Sequence, residues 1–178
     1  MRLLHLSRTL SALLVALQLS ACSASRAPLA PSLAMVESLP SAGGSTSAHS
    51  ELEAPVVMVH FFASWCTQCI FEFPHLVALR RTIDPARLGI VAIAIDDSPE
   101  AVTKLTASYD FPFPVLLDNG SDAKSAFAVT DLPLTVFLSR DGKPVMIQDA
   151  KSGSPTNRFE GAYEWDRGAA LAAVESVL

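Results

Sequence analysis

The chain has 178 residues, half of them apolar and 17% charged, with 13 Lys+Arg against 18 Asp+Glu and a net charge of −5. The apolar fraction excludes disorder throughout, three cysteines exclude a disulfide-dense mini-scaffold, and an acidic chain with no Lys/Arg run lacks the electrostatic footprint of a nucleic-acid binder. The length fits one domain plus a targeting or linker segment.

Arg2 and Arg8 precede thirteen uncharged, mostly apolar residues, Thr9 to Ala21. A basic start, a short apolar core and a small-residue boundary read as a secretory signal over residues 1–21. As a helix the apolar stretch spans about 20 Å, short of the roughly 30 Å needed to cross a bilayer. Leu19-Ser20-Ala21-Cys22 resembles the lipobox of bacterial lipoproteins. That resemblance implies cleavage before Cys22, lipidation of its sulfur, and, with Ser23 following, a lean towards the outer membrane. An ordinary signal peptide with an incidental cysteine is the alternative. Without Arg2 and Arg8, 11 basic residues face 18 acidic ones, a net charge of −7, so the lipid rather than surface charge must hold the protein at a membrane.

Residues 22–50 are rich in Ser, Ala, Pro and Gly and carry two charges, Arg26 and Glu37. This composition predicts a flexible tether with a root-mean-square reach of roughly 30 Å. The folded domain is expected over residues 51–178. Pro55 to Phe62 is apolar on both faces, as in a buried central strand. Cys66 to Thr82 is predicted helical, and Gly89 to Asp96 is a second buried strand. Ser98-Pro99-Glu100 opens a helix with an N-cap, an N1 proline and an acid in the first turn, running to Tyr109. A short strand (Phe113 to Leu117), a short helix (Ser121 to Phe127) and a strand (Leu134 to Leu138) follow. Ser139-Arg-Asp-Gly142 predicts a hairpin turn, with Pro144 to Gln148 as the return strand and a closing helix from Trp165 to Leu178. Alternating strands and helices ending in a hairpin and helix predict an α/β sandwich with a mixed sheet.

The decisive motif is Trp65-Cys66-Thr67-Gln68-Cys69, where a buried strand ends and a helix begins. A thiolate attacks disulfides, and unpaired N–H groups at a helix N-terminus favour the thiolate. Two intervening residues place the second sulfur one turn away, able to resolve a mixed disulfide. Cys66 is expected to be the exposed attacker and Cys69 the buried resolver, with Trp65 shielding the site. A static disulfide and a half zinc site are the bland alternatives. Zinc normally takes four ligands, no second cysteine pair exists, and His60 and His75 should not face one point, so no metal is expected.

Trp65 to Pro74 (WCTQCIFEFP) resembles the WCxxCxxExP signature of thioredoxin-like disulfide reductases of the TlpA/ResA type. Phe111 to Asp118, Leu132-Pro133 to Leu138 with Asp141-Gly142, and Gly161 with Trp165 resemble further segments of that family, over roughly residues 54–178. The resemblance implies a thioredoxin-like three-layer sandwich with helices on both faces of a mixed sheet. It implies a cis Pro133 opposite Cys66, with the Leu132 backbone offered to an extended substrate chain. Leu132 departs from the Thr common there. Glu72 is implied to be a buried acid that moves the Cys69 proton, against the alternative of a solvated helix glutamate. His60 stands where thioredoxin carries a buried Asp. It is a candidate proton relay or a hydrogen-bonded core residue. No counterpart of the family's N-terminal hairpin is seen before Glu51, which predicts a bare side of the sheet. Asp149 to Arg158 is an unusually long polar loop, read as a partner-specific loop or a tolerated insertion.

These readings converge on an exported, lipid-anchored thiol:disulfide oxidoreductase facing the periplasm, or the cell surface in a Gram-positive organism. It would be monomeric and would use the Cys66–Cys69 disulfide with no other cofactor. Its expected partners are a protein disulfide substrate and a separate electron-donor protein. A redox-sensing or metal-handling lipoprotein is the rival from another class. A thiol peroxidase is a weaker rival, because the Pro-x-x-x-Thr-x-x-Cys arrangement is missing before Cys66.

Overall fold

The computed structural model describes residues 31–42, 47–95 and 98–178. The signal segment 1–21 and Cys22 lie outside the described residues. Within them, no helix is long and apolar enough to cross a membrane.

The central sheet has five strands: β1 (Val56–Phe62), β2 (Leu88–Ala94), β3 (Val115–Leu117), β4 (Leu134–Ser139) and β7 (Arg158–Glu160), in the order β3-β2-β1-β4-β7. β1 pairs parallel to β2 and antiparallel to β4, and β7 pairs antiparallel to β4. A pair of two-residue strands, β5 (Ile147–Gln148) and β6 (Pro155–Thr156), forms a separate small sheet. The helices are α1 (Pro31–Ser38), α2 (Ala48–Leu52), α3 (Thr67–Thr82), α4 (Pro99–Tyr109), α5 (Asp122–Ala126) and α6 (Gly168–Glu175).

The strand period of two divides β1 between two cores. Met58 and Phe62 join a cluster with Cys66, Cys69, Phe73 and Leu76 of the α3 region, Val102 of α4 and Val174 of α6. Val57, Val59 and Phe61 join the opposite cluster, with Leu33 and Val36 of α1, Leu52 of α2 and Ala123 of α5. This is the three-layer α/β sandwich with helices on both faces that the sequence predicts. Ser98 caps α4, its side chain accepting from the Ala101 N–H at 3.3 Å. The α3 helix runs unbroken through Pro74.

Two expectations are corrected. Residues 31–42 and 47–50 are not tether. Leu33 and Val36 are fully buried, Ala42 donates to the Val115 carbonyl, Leu117 donates to that of Pro40, and Ser41 bridges Leu116. The side of the sheet expected to be bare is therefore covered. The overall composition of the segment concealed this, because a few apolar residues at helical spacing suffice when a sheet face awaits them. The return strand is also misplaced. The turn forms, with Gly142 at φ 77° and its N–H on the Ser139 carbonyl at 2.7 Å. Beyond it the return is brief: the Lys143 carbonyl accepts from the Ser139 N–H, Pro144 bridges Leu138 and the Val145 N–H bonds the Phe137 carbonyl. Pro144 has no N–H to extend the ladder, and the chain turns away into β5. β7, from the end of the segment read as a loop, takes the place beside β4.

Candidate active site

β1 delivers the chain to Cys66, which is the N-cap of α3. Cys66 and Cys69 are joined as a disulfide with Cα atoms 5.3 Å apart. Both cysteines are buried, Cys66 keeping 8% of its surface exposed and Cys69 none, so Cys66 is the more accessible of the two. The Cys69 backbone N–H points at the Cys66 sulfur, 3.2 Å away. After reduction the same N–H can donate to the Cys66 sulfur, and a partial positive charge at a helix N-terminus favours the thiolate form of a cysteine placed there. Beside this pair Trp65 stands out into solvent, 70% exposed.

The Leu132–Pro133 peptide is cis. The Gly161 N–H donates to the Pro133 carbonyl at 2.9 Å. Gly161 has φ 76°, and the Gln68 side-chain oxygen lies 3.7 Å from where a β-carbon would sit. The first turn of α3 is thereby brought to the strand end carrying Pro133. Leu132 packs against both cores.

Glu72 is fully buried, so the solvated reading fails. Its Oε1 accepts from the Trp165 indole N–H, the Tyr163 backbone N–H adds support, and Oε2 has no hydrogen-bond partner among the described residues. Burial pushes its pKa up to about 8, against the opposing pull of Trp165, the Tyr163 backbone and Lys151. A carboxyl poised there can gain or lose a proton near neutral pH.

His60 is also fully buried. Its Nδ1 faces the Thr135 hydroxyl at 3.0 Å, its ring lies against Phe62 and Phe73, and Nε2 has no hydrogen-bond partner among the described residues. Burial lowers its pKa to about 3, so the ring is neutral at ordinary pH. His75 is elsewhere, its Nδ1 2.7 Å from Asp166. Among the described residues no three His, Cys, Asp or Glu side chains gather as a metal site.

The sequence reading missed several residues. Asp149 accepts from the Tyr163 hydroxyl at 2.8 Å and from the Lys151 and Ser152 N–H groups. Burial opposes its ionisation, but hydrogen bonds from the Ser152 side chain, the Lys151 N–H, the Tyr163 hydroxyl and the Ser152 N–H win and hold its pKa at about 2. Lys151 lies over the Tyr163 ring, 3.6 Å from its centre. Asp followed by N–H donors two and three residues on is the Asx-turn pattern, the one local signal available. Further off, Glu51 is buried and accepts from Arg80 at 2.8 Å and from the Ile90 N–H at 2.7 Å.

The AhpC/TSA family profile matches residues 30–145. The chain is 31% identical over 118 residues to thiol-disulfide oxidoreductase ResA of Oceanobacillus iheyensis, covering 66% of this chain and 60% of that one. It is 32% identical over 98 residues to ResA of Bacillus subtilis, 55% of each. The chain thus spans less than two thirds of the length of these relatives. Among solved structures, MTB DsbF superposes with a TM-score of 0.63 at 18% identity, covering 84% of this chain and 99% of that one. The thiol:disulfide interchange protein DsbE from Chlorobium tepidum does so with a TM-score of 0.61 at 20% identity, covering 78% and 90%. Both likenesses are of fold. The profile match takes in the buried N-terminal segment, the cysteine pair and the cis-proline strand, and the chain belongs to the AhpC/TSA family.

Proposed function

We propose that the protein is an extracytoplasmic thiol:disulfide oxidoreductase, anchored by a lipid on Cys22, that reduces disulfides of other proteins. The observation that carries this is the cysteine pair itself: a slightly exposed Cys66 at a helix N-cap, joined to a fully buried Cys69. The relatives named thiol-disulfide oxidoreductase support it.

In this reading the Cys66 thiolate attacks one sulfur of a substrate disulfide. A mixed disulfide forms, and the other substrate sulfur leaves as a thiolate and takes a proton. Cys69 then gives its proton to the ionised fraction of Glu72 and attacks the Cys66 sulfur. The second substrate thiolate leaves and the Cys66–Cys69 disulfide closes. Two electrons pass from the dithiol to the substrate, and a dithiol of a separate donor protein must restore them. Leu132 and Pro133 guide the docked chain, and Trp65 offers it an apolar contact. His60 supplies a neutral hydrogen-bonding ring to the core; its depressed basicity suits it poorly to accept the Cys69 proton.

The test is the reduction potential of the pair in the full-length protein carrying Cys22→Ser, equilibrated against a thiol buffer. A value near that of thioredoxin, about −270 mV, supports a reductant, and a value near about −120 mV makes the protein an oxidant and overturns that direction. Rapid peroxide consumption by the reduced protein would favour the peroxidase rival instead. Lipidation is tested by labelled-palmitate incorporation, which Cys22→Ala must abolish.

A further inference from the structure

The polar segment Asp149 to Arg158 reads in sequence as an insertion, yet its first half is built to one shape. The Asp149 N–H bonds the Ser154 carbonyl at 3.0 Å, and the Gly153 N–H returns to the Asp149 carbonyl at 2.8 Å, with Gly153 at φ 71°. Inside the turn the Asp149 carboxylate takes the Lys151 and Ser152 N–H groups and the Tyr163 hydroxyl. These contacts fix the backbone from which Lys151 projects. Its ammonium lies 3.6 Å from the Tyr163 ring centre, a contact that holds a cation in place at modest cost. It also lies 3.7 Å from where a Gly161 β-carbon would be, and the Gln68 side-chain oxygen reaches the same point at the same distance. Gln68 is the residue before Cys69, and the Gly161 N–H holds the Pro133 carbonyl at 2.9 Å. The ammonium therefore stands at the junction between the cysteine turn and the strand end that carries the cis peptide.

We propose that Lys151 determines specificity: its ammonium reads a carboxylate side chain of the substrate polypeptide, close to the cysteine that exchanges with Cys66. The inference rests on the oxidoreductase reading, which lays an extended chain along Leu132 and Pro133. Such a chain rises about 3.3 Å per residue, so an Asp or Glu within about three residues of its cysteine comes within reach of a long lysine side chain. Room for it exists. The loop walls an open cleft of about 510 Å³, bounded also by Thr156, Arg158, Glu160 and Tyr163. Charge decides which side chain enters. Asp149 spends its carboxylate on its own loop and on Tyr163. Arg158 donates to the neutral carbonyls of Phe127 and Ala128 at 2.8 and 3.2 Å, so its charge is not cancelled there. Lys151 meets a ring rather than an acid. The wall thus presents two cations against one carboxylate, Glu160, and Lys151 is the cation that reaches the cysteine turn. An acidic side chain is drawn to this place, a neutral one gains nothing from the charge, and a basic one is repelled.

The test traps the docked chain in the full-length protein carrying Cys22→Ser and Cys69→Ser. The probes are short peptides with blocked ends whose single cysteine is capped as a mixed disulfide with 2-mercaptoethanol. The Cys66 thiolate attacks the peptide sulfur, a Cys66–peptide disulfide forms, and 2-mercaptoethanol leaves as a thiolate that takes a proton. Equilibrium constants, read by mass, are compared for peptides differing only in a Glu, Gln or Lys two or three positions from the cysteine. With Lys151 in place the Glu peptide should be favoured over the Gln peptide by about three- to fivefold at low ionic strength, and the advantage should fade in concentrated salt. Lys151→Arg should keep the preference, Lys151→Met should remove it, and Lys151→Glu should turn it towards the Lys peptide. A merely structural role would move all three peptides together. Equal constants for the Glu and Gln peptides with Lys151 present, a preference that survives Lys151→Met, or no adduct with any peptide overturns the proposal. Failure of turnover in the two-cysteine protein while the Glu preference persists would sink the oxidoreductase reading and leave this recognition standing.

Discussion

Trp165 and Glu72, separated by 93 residues, meet in the core through a hydrogen bond from the indole Nε1 to the carboxyl Oε1. The bond ties the segment before α6 to the helix that carries both cysteines. It also satisfies one oxygen of an acid with no other side-chain partner among the described residues. The interaction is thus a fastening and a tuning device together.

The tuning has a pH signature. The Glu72 pKa stands at about 8 in the fold against 4.5 ordinarily, so between those values the folded protein holds a proton that the unfolded chain has released. Stability from the neutral acid is complete below 4.5 and is lost as pH rises through 8. Glu72→Gln, which mimics the neutral acid, should therefore match wild type near pH 4.5 and exceed it at pH 8.5, by on the order of a few kcal/mol. Urea unfolding of the two oxidised proteins across this range checks it; equal stabilities at pH 8.5 would refute it.

His60 works in the opposite direction. Its pKa is lowered to about 3 by burial, so below the ordinary 6.5 the unfolded chain binds a proton that the folded one refuses. Stability is complete above 6.5 and declines as pH falls towards 3. His60→Gln keeps a hydrogen-bonding group for Thr135 without titrating. The difference between wild type and variant should shrink as pH falls from 7 to 4, measured by thermal melts in one buffer series. A constant difference would mean that the ring is protonated in the fold.

Cysteine variants separate the two sulfurs. With Cys66→Ser, disulfide exchange should fall to background. With Cys69→Ser, a mixed disulfide between Cys66 and substrate should accumulate, visible by mass as an adduct that a reducing agent removes. An adduct on Cys69 in the Cys66→Ser protein would reverse the assignment of attacker and resolver.

A second buried ionic contact should matter for stability alone. Glu51 receives Arg80 and the Ile90 N–H, while Gly89 passes so close that a β-carbon would sit 1.8 Å from the Glu51 carbonyl oxygen. Gly89→Ala must push backbone apart and should cost about 3 kcal/mol. Arg80→Met leaves a buried carboxylate unpaired and should cost about 3–5 kcal/mol. Denaturant unfolding reads both, and the reduction potential should stay put.

Removing residues 31–42 strips Leu33, Val36 and Ala42 from the two cores. A chain starting at Ser47 should melt at least 10 °C below one starting at Pro31, since burying each Leu or Val side chain is worth about 2 kcal/mol. Equal melting temperatures would make the segment dispensable.

How much was legible follows from where each signal lies. The strand–Cys66–helix junction, the N-cap Ser98 and the Asp141-Gly142 turn are local patterns, and each forms as read. The pairing of β4 with β7 was not legible, because the three residues Arg158–Glu160 have no period long enough to register and the nearer Pro144 to Gln148 looked like the better partner. Of the site, the cysteines and the cis peptide before Pro133 came from contiguous motifs. Glu72 and Trp165 were each named, but their contact was not foreseen, because a contact across 93 residues leaves no trace in spacing. Asp149 and Lys151 lay in a segment read as a polar partner-specific loop or tolerated insertion, and Tyr163, five residues beyond it, was not singled out.

The N-terminal strip that lies along β3 also bears on how the protein behaves at high concentration. Val115, Leu116 and Leu117 form an apolar outer strand, the kind of edge that recruits a strand from another molecule. Pro40 to Ala42 occupy that edge with the chain's own backbone. The segment thus acts as a guard against self-association: a molecule in which it peels away keeps its cysteines but offers a bare, sticky border to its neighbours.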